Sequence, residues 1–254
     1  MKSPLVTIAV PSYNQGKFLD AALESIFAQG VPVEVFVMDG GSTDGTLEVI
    51  QKWEPFLAGW RSHPDAGQSA AINEGIALGS APYVTWLNSD DYYLPDGLKA
   101  LLRALEQAHE APVAYGQAFH EKTESGIRKP VWVQPFSAKA LAIRCIICQP
   151  ATLIRRTAWQ AVNGVNESLH MVMDYDLWWK LYRHAGEFVF LEKPVAINRD
   201  HACTKTNINR KAHYSEAISI VRFYNGHVPI KWYIYQPYSV WWKSLIKYLR
   251  TLSF

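Results

Sequence analysis

The sequence predicts an α/β protein whose mostly parallel central sheet is flanked by helices, with a C-terminal helical extension rich in aromatics and cations. Three observations carry this. Short apolar runs alternate with helix-period segments over the first ninety residues, the runs end in clusters of Asp, Asn, Gly and Ser, and the acidic residues disappear after Glu216. Apolar residues make up 49% of the 254 positions, charged residues 19%, and there are 15 Gly and 14 Pro. That balance excludes a disordered chain, a collagen-like repeat and a coiled coil, and it suffices for one large core.

The elements follow in order. Leu5–Val10 is a buried strand ended by Pro11, and Val33–Met38 a second, ended by Asp39-Gly40-Gly41-Ser42. Between them Lys17–Gln29 sets Phe18, Ala22 and Ile26 four apart, with Leu19 and Leu23 alongside, and closes at Gly30. Thr46–Trp53 and Ser69–Leu78 are helices, and Tyr83–Leu87 is a strand running into Asn88-Ser89-Asp90-Asp91. Such alternation gives right-handed crossovers, and ligands gather at the carboxyl ends of the strands. Further on, Leu98–Gln107 reads as a helix, Val113–Phe119 as a strand and Arg128–Val133 as an antiparallel edge strand. Thr157–Val162 and Tyr175–His184 are helical, and Phe188–Asn198 is a strand bent at Pro194. A basic loop and helical segments complete the chain.

With 25 Lys+Arg against 23 Asp+Glu there is no global basic field, so no nucleic-acid partner is expected. Three cysteines, Cys145, Cys148 and Cys203, are too few for a disulfide scaffold. Cys145 and Cys148 have CxxC spacing without the context of a zinc or redox site, and read as part of an apolar segment. Met1 to Pro11 lacks the layout of a signal peptide and no stretch of about 18 apolar residues occurs, so a cytoplasmic location is expected.

Asp39, Asp90 and Asp91 stand where strands end, as a hard divalent cation and the phosphates it carries would require. Any one of them alone would read as a turn residue. No glycine-rich phosphate cradle follows the first strand, which argues against a P-loop or dinucleotide site.

Val10-Pro11-Ser12-Tyr13-Asn14, Val37-Met38-Asp39-Gly40-Gly41-Ser42-Thr43-Asp44-Gly45-Thr46, Asp65-Ala66-Gly67-Gln68-Ser69-Ala70-Ala71-Ile72-Asn73-Glu74-Gly75 and Trp86-Leu87-Asn88-Ser89-Asp90-Asp91 resemble the successive signatures of glycosyltransferase family 2. Tyr115-Gly116, Gln149-Pro150-Ala151-Thr152, Met173-Asp174-Tyr175-Asp176-Leu177-Trp178, and Arg199-Asp200-His201 with Thr204-Lys205-Thr206, resemble its second half. The likeness spans roughly residues 4–210. It implies a GT-A fold over 1–215, with a nucleotide-binding half (1–95) and an acceptor half (96–215), followed by the extension at 216–254. It also implies a nucleotide-diphosphate sugar donor, Mn²⁺ or Mg²⁺, and inversion at the anomeric carbon.

Carried over by position, Pro11 and Tyr13 would line the base pocket and Asp39 would accept from the base's ring N–H. Asp65, Gln68 and Asn88 would lie near the nucleotide or donor sugar. Asn88-Ser89-Asp90 occupies the family's Asp-x-Asp metal motif with an amide in the first place, so the metal falls to Asp90 and Asp91, with His201 as a further ligand. Arg199, His201 and Lys205 would meet the diphosphate, where negative charge builds during transfer. Asp174 matches the Asp of the family's Glu-Asp base motif and would take the proton of the acceptor hydroxyl. Met173 stands in place of the acid. A helix cap is the plainer role for Asp174, and Asp176 is the alternative base. Uracil is the expected base, ahead of thymine and guanine.

Residues 217–254 carry +5 and residues 1–216 carry −3. Lys231-Trp232-Tyr233-Ile234-Tyr235 and Val240 to Arg250 interleave aromatics with cations, a pattern that suits an in-plane membrane helix or a docking helix. A peripheral site on the inner face of the cytoplasmic membrane, through residues 229–254, and a saccharide or lipid-linked saccharide acceptor are expected. A homo-oligomer is open. Two other readings stand beside transfer: a nucleotidyltransferase making the sugar nucleotide, and a non-catalytic sugar-nucleotide-binding scaffold.

Overall fold

The computed structural model describes residues 3–201, 204 and 209–242. The first half is strictly alternating: β1 (Val6–Ser12), α1 (Gly16–Phe27), β2 (Val33–Asp39), α2 (Thr46–Trp53), β3 (Gly59–Ser62), α3 (Gln68–Leu78) and β4 (Tyr83–Trp86). Every residue of β1 is buried, as a central strand covered on both faces requires. β1 pairs in parallel with β2 on one side and β4 on the other, and β2 pairs in parallel with β3. The expected stop at Pro11 is corrected by this register, because β1 continues through Pro11 to Ser12, opposite Met38 and Asp39. Ala9 accepts from Leu87 N on the β4 side and Ser12 accepts from Gly40 N on the β2 side. By alternation Pro11 faces the β4 side, past the end of β4, where no strand needs its missing N–H.

The second half follows with β5 (Tyr92–Tyr93), α4 (Gly97–Gln107), β6 (Val113–Lys122), β7 (Arg128–Pro130), α5 (Ala138–Ile143), β8 (Thr152–Arg155), α6 (Arg156–Ala161), α7 (Met173–Ala185) and β9 (Val189–Asp200). Here the sheet becomes mixed. The strand order is β3-β2-β1-β4-β8-β6-β9-β5, with β8 antiparallel to both β4 and β6, and β7 antiparallel to β6 at the edge. β9 runs parallel to β6 until Leu191, slips so that Pro194 stands opposite Gln117, and continues to Asp200. The slip puts Glu192 and Lys193 out of register, so Pro194 makes its bend as a bulge. It also carries Asn198 and Arg199 to the end of β4, where the site is built.

Two cores lie on the two faces of this sheet. One gathers Leu19, Leu23 and Ile26 of α1 with Leu98, Leu101 and Leu105 of α4. The other gathers Ile72 and Ile76 of α3 with Trp159 of α6 and Trp178 of α7 around Trp86 of β4. Trp86 is fully buried, stacked on Trp178 and edge-on to Trp159. Each such aromatic contact contributes about 0.5–1.5 kcal/mol beyond area burial. Gly75 lets α3 lie close on β1: a Cβ there would stand 2.8 Å from that of Ala9.

After β9 come α8 (Arg210–Asn225) and α9 (Ile230–Gln236), continued by a wide turn over Pro237–Trp242. The expected boundary at 215/216 falls inside α8, which buries Tyr214 on one side of it and Ala217, Ile220 and Val221 on the other. α9 is pinned by Trp232, whose indole N–H donates to Ala142 O at 2.8 Å and whose carbonyl takes the Tyr214 hydroxyl. Among the described residues no helix is long and apolar enough to cross a membrane.

Candidate active site

The carboxyl ends of β1, β2 and β4 meet in three loops, and each loop is held by its own polar residues. Asp39 ends β2 fully buried. Its Oδ2 accepts from Gly41 N (3.1 Å), Ser42 N (2.9 Å) and Ser62 Oγ (2.6 Å), and its Oδ1 accepts from Ser42 Oγ. Gly41, at φ +83°, makes the turn that aims those amides inward. Tyr13 stands 63% exposed beside Gly40. Asn14 N donates to Ser42 Oγ and Thr43 N to Asn14 Oδ1, so the loops after β1 and β2 are tied together. Asp44 completes the tie by accepting from Gly16 N and Thr46 N. Burial pushes its carboxyl up, but those donors and the Thr46 hydroxyl outweigh it and hold Asp44 below the usual carboxylate range.

Arg61, in β3, had no role in the sequence reading. It donates to Asp39 O at 2.7 Å, pairs with Asp65 at 2.9 Å and with Glu74 at 2.6 Å. Asp65 also accepts from Gly67 N at 2.8 Å, which sets the start of α3. From there Gln68 Nε2 donates to Asn88 Oδ1 (2.8 Å) and Asn88 Nδ2 donates to Asp91 Oδ2 (3.1 Å). Arg61 thus links Asp39 to Asp65, and Asn88 links Gln68 to Asp91.

Asp90 and Asp91 are treated differently. Asp91 turns inward, 1% exposed, and takes Arg199 N at 3.0 Å and Asn198 Nδ2 at 3.2 Å besides Asn88. Burial first, then the charge of Asp90, push its carboxyl well above the usual range. Asp90 keeps 21% of its side chain exposed instead, and its Oδ2 lies 2.9 Å from His201 Nε2. His201 is itself 6% exposed and rests against Phe18, ring centroids 4.9 Å apart. Arg199 lies over the rings of Tyr92 (4.5 Å) and Phe18 (5.3 Å), with NH1 on Asp90 O. Phe18 packs against both basic side chains and Tyr92 against Arg199, so the two rings form a cradle for them. Lys205 lies outside the described residues, as does Cys203.

Asp174 lies in the first turn of α7, where acids suit the helix dipole, and its Oδ1 accepts from Tyr175 N at 2.8 Å. Burial pushes its carboxyl up, against that hydrogen bond and the nearby His213. Met173 is buried in the place of the family's acid, and its sulfur accepts the Ser69 hydroxyl. This contact sets the start of α7 against the start of α3, one residue from Gln68. Asp176 is committed elsewhere: its Oδ1 takes the Tyr224 hydroxyl at 2.9 Å. Cys145 and Cys148 are free thiols, pushed up by burial, as a packing role implies.

The chain shares this architecture with solved glycosyltransferases. It superposes on S. aureus TarS (residues 1–349, in complex with UDP-GlcNAc) with a TM-score of 0.70 at 19% identity, over 86% of this chain and 66% of that one. Against the mannosyltransferase PcManGT of Pyrobaculum calidifontis, in complex with GDP-Man and Mn²⁺, the TM-score is 0.65 at 18% identity, over 93% and 68%. By sequence it is 26% identical over 248 residues to the chondroitin synthase of Escherichia coli and 27% identical over 219 residues to the hyaluronan synthase of Pasteurella multocida. Those alignments take in 92% and 83% of this chain but only 34% and 22% of the synthases. The model of the family described as glycosyl transferase family 2 matches residues 7–161, well over half of the chain. With a GT-A fold around these motifs, the chain belongs to glycosyltransferase family 2.

Proposed function

We propose that the protein transfers a sugar from a nucleoside-diphosphate donor, UDP-linked first among the candidates, to a saccharide or lipid-linked saccharide hydroxyl, with inversion, in the synthesis of a cell-surface polysaccharide. One observation carries the reading. Asp90 and His201, 111 positions apart, meet at 2.9 Å just past the end of β4. The relatives support it: a TarS complex contains UDP-GlcNAc, and two curated relatives are polysaccharide synthases.

The donor set fits a divalent cation. A carboxylate and an imidazole nitrogen converge at 2.9 Å, and this mixed set suits Mn²⁺ better than Mg²⁺, which takes oxygen ligands. Among the described residues no third His, Cys, Asp or Glu joins them, so Asp90 and His201 would hold the ion together with the donor's own phosphate oxygens. Bound there, the ion supplies positive charge to the departing diphosphate. Asp90 and His201 are the ligands in this reading, and Asp91, with its oxygens engaged inside the protein, positions Asn88 and Arg199.

Arg199 is held on two aromatic faces, ready to donate to the diphosphate, with Lys205 as a second cation from the same segment. Pro11 and Tyr13 line the base pocket. Asp39, fully buried, serves the base through the Gly41–Ser42 turn that it holds, while Asp65 and Gln68 border the donor sugar. Asp174 accepts the proton of the attacking hydroxyl, a role its raised pKa suits, because a base that binds a proton more firmly drives the transfer further. Tyr224 and Lys180 already occupy Asp176. Peripheral attachment to the cytoplasmic face of a membrane through residues 229–254 would bring a lipid-linked acceptor to the site.

The test is release of nucleoside diphosphate from UDP-, GDP- and dTDP-sugars with Mn²⁺ and a lipid-linked saccharide extract. Asp174→Asn should slow release roughly 10²–10⁴-fold while leaving donor affinity unchanged. Undiminished release would remove Asp174 as base, and donor binding without release by the unaltered protein would favour the non-catalytic scaffold.

A further inference from the structure

Acidic residues are missing from a second stretch besides the C-terminal one. Between Glu124 and Glu167 there is no Asp or Glu, against Arg128, Lys129, Lys139, Arg144, Arg155 and Arg156. Three of these cations are used inside the protein. Arg128 pairs with Glu121, Arg155 donates to the carbonyls of Leu105, Ala108 and Ala111, and Arg156 donates to those of Ile76 and Ala81. Lys129, Lys139 and Arg144 are exposed and have no acidic partner among the described residues.

Amid them stands Trp132, between β7 and α5, 62% exposed. Its ring is firmly mounted. The indole N–H donates to Gln134 Oε1 at 3.1 Å, and the Gln134 carbonyl takes the hydroxyl of the buried Tyr115 at 2.8 Å. Val131 and Val133 on either side pack against the core, and Val131 N donates to Ala118 O at 2.9 Å. The Arg144 guanidinium lies 5.2 Å from the ring centroid. This mount is fastened to the acceptor half of the site. Leu141, three residues before Arg144, accepts the hydroxyl of Tyr175, the residue after Asp174. Burial, then the charge of Asp174, push up the thiol of Cys145, the residue after Arg144.

An exposed tryptophan face suits the C–H side of a sugar ring, and a guanidinium beside it offers two parallel N–H donors to a carboxylate or a phosphate. The lack of acids in the stretch disfavours a cationic ligand, and a wholly apolar one would gain nothing from the cations. A lipid surface fits less well, because a tryptophan at a membrane interface turns its N–H to the wet side, whereas here Gln134 takes it. We propose that Trp132 and Arg144 form an acceptor subsite for an anionic saccharide, with a sugar ring on Trp132 and its carboxylate or phosphate on Arg144. That this saccharide is the acceptor rests on the transfer reading; the binding itself does not.

Saturation-transfer NMR titrations on the full chain, with UDP in excess to fill the donor site, test it with tetragalacturonate, glucose 6-phosphate and the neutral cellotetraose. At least one anionic probe should bind at least threefold more tightly than cellotetraose. Trp132→Ala should weaken that probe about 3–10-fold, and Arg144→Gln about 2–5-fold, with loss of its advantage over the neutral one. Both side chains are exposed, so UDP affinity should stay unchanged. Tighter binding of tetragalacturonate assigns the anion to a sugar carboxylate, and tighter binding of glucose 6-phosphate assigns it to a phosphate. The proposal is overturned if neither anionic probe binds, if cellotetraose binds as tightly as both, or if Trp132→Ala binds as the unaltered protein does. Sedimentation with phosphatidylglycerol vesicles that is lost in Trp132→Ala, without binding of any probe, would give this surface to lipid instead. Nucleotide release, measured separately, reports on the transfer reading, so either can fail while the other stands.

Discussion

Asp90 and Asp91 are chemically identical neighbours, and what separates them is the arrival of β9. Asn198 and Arg199 satisfy Asp91 from behind, leaving Asp90 to face His201. The sequence placed both carboxylates at the end of a strand, but which one turns inward depends on a segment 107 positions away. Arg61 escaped notice for a related reason: its links to Asp39, Asp65 and Glu74 need three elements assembled. The motif positions themselves were legible, because each sits at a strand or helix end where a polar residue has little packing use. At Asp174 the raised pKa gives two outcomes with a fixed sign. Transfer should rise with pH through a midpoint above the ordinary Asp value of about 4, and Asp174→Asn should lose roughly 10²–10⁴-fold in kcat. A folded-state pKa above the unfolded one favours folding while the group is protonated, and that advantage is lost as pH rises through the folded value. Asp174→Asn should therefore melt higher than the unaltered protein at pH 8 and equally below about pH 4, as thermal melts at both values would show.

At the scale of elements, β1, β2 and β4 were readable as continuous apolar runs and α1 to α4 as segments with helix-period apolar faces. β3 and β8, four residues each, were not, being too short to show alternation. The mixed sheet of the second half follows from β8, which enters antiparallel between β4 and β6. Two contacts that hold the elements together give measurable outcomes. Gly75→Ala drives a methyl into Ala9 across the α3–β1 contact and should cost about 1–3 kcal/mol in chemical denaturation. Glu34 accepts from Thr7 Oγ1, Ser80 N and Ala81 N, which outweigh its burial and hold its carboxyl below the usual range. A lowered folded-state pKa adds stability above the unfolded pKa and loses it as pH falls through the folded one. Glu34→Gln should thus destabilise at pH 7 by on the order of 1 kcal/mol, with the difference shrinking under acid.

The whole molecule divides its surface unevenly. Phe223, Ile230, Tyr233, Ile234, Tyr235 and Tyr238 make up more than half of the large apolar side chains exposed among the described residues. They occupy α8's end, α9 and the turn beyond, in the zone that carries +5, while Trp232 holds α9 to the body. The sequence pattern allowed both packing and membrane contact; Trp232 packs, and its neighbours face outward. Ile230→Ser with Ile234→Ser should reduce co-sedimentation with phosphatidylglycerol vesicles several-fold without changing UDP affinity, and equal sedimentation of the double variant would remove α9 as the contact. If Asp90 and His201 join donor and cation, calorimetric titration of UDP with and without Mn²⁺ reads the link itself. UDP should bind at least tenfold more tightly with Mn²⁺, and this difference should vanish in His201→Ala and in Asp90→Asn. Equal affinity with and without Mn²⁺ in the unaltered protein, or an Mn²⁺ effect that survives both substitutions, would contradict the site described for this chain.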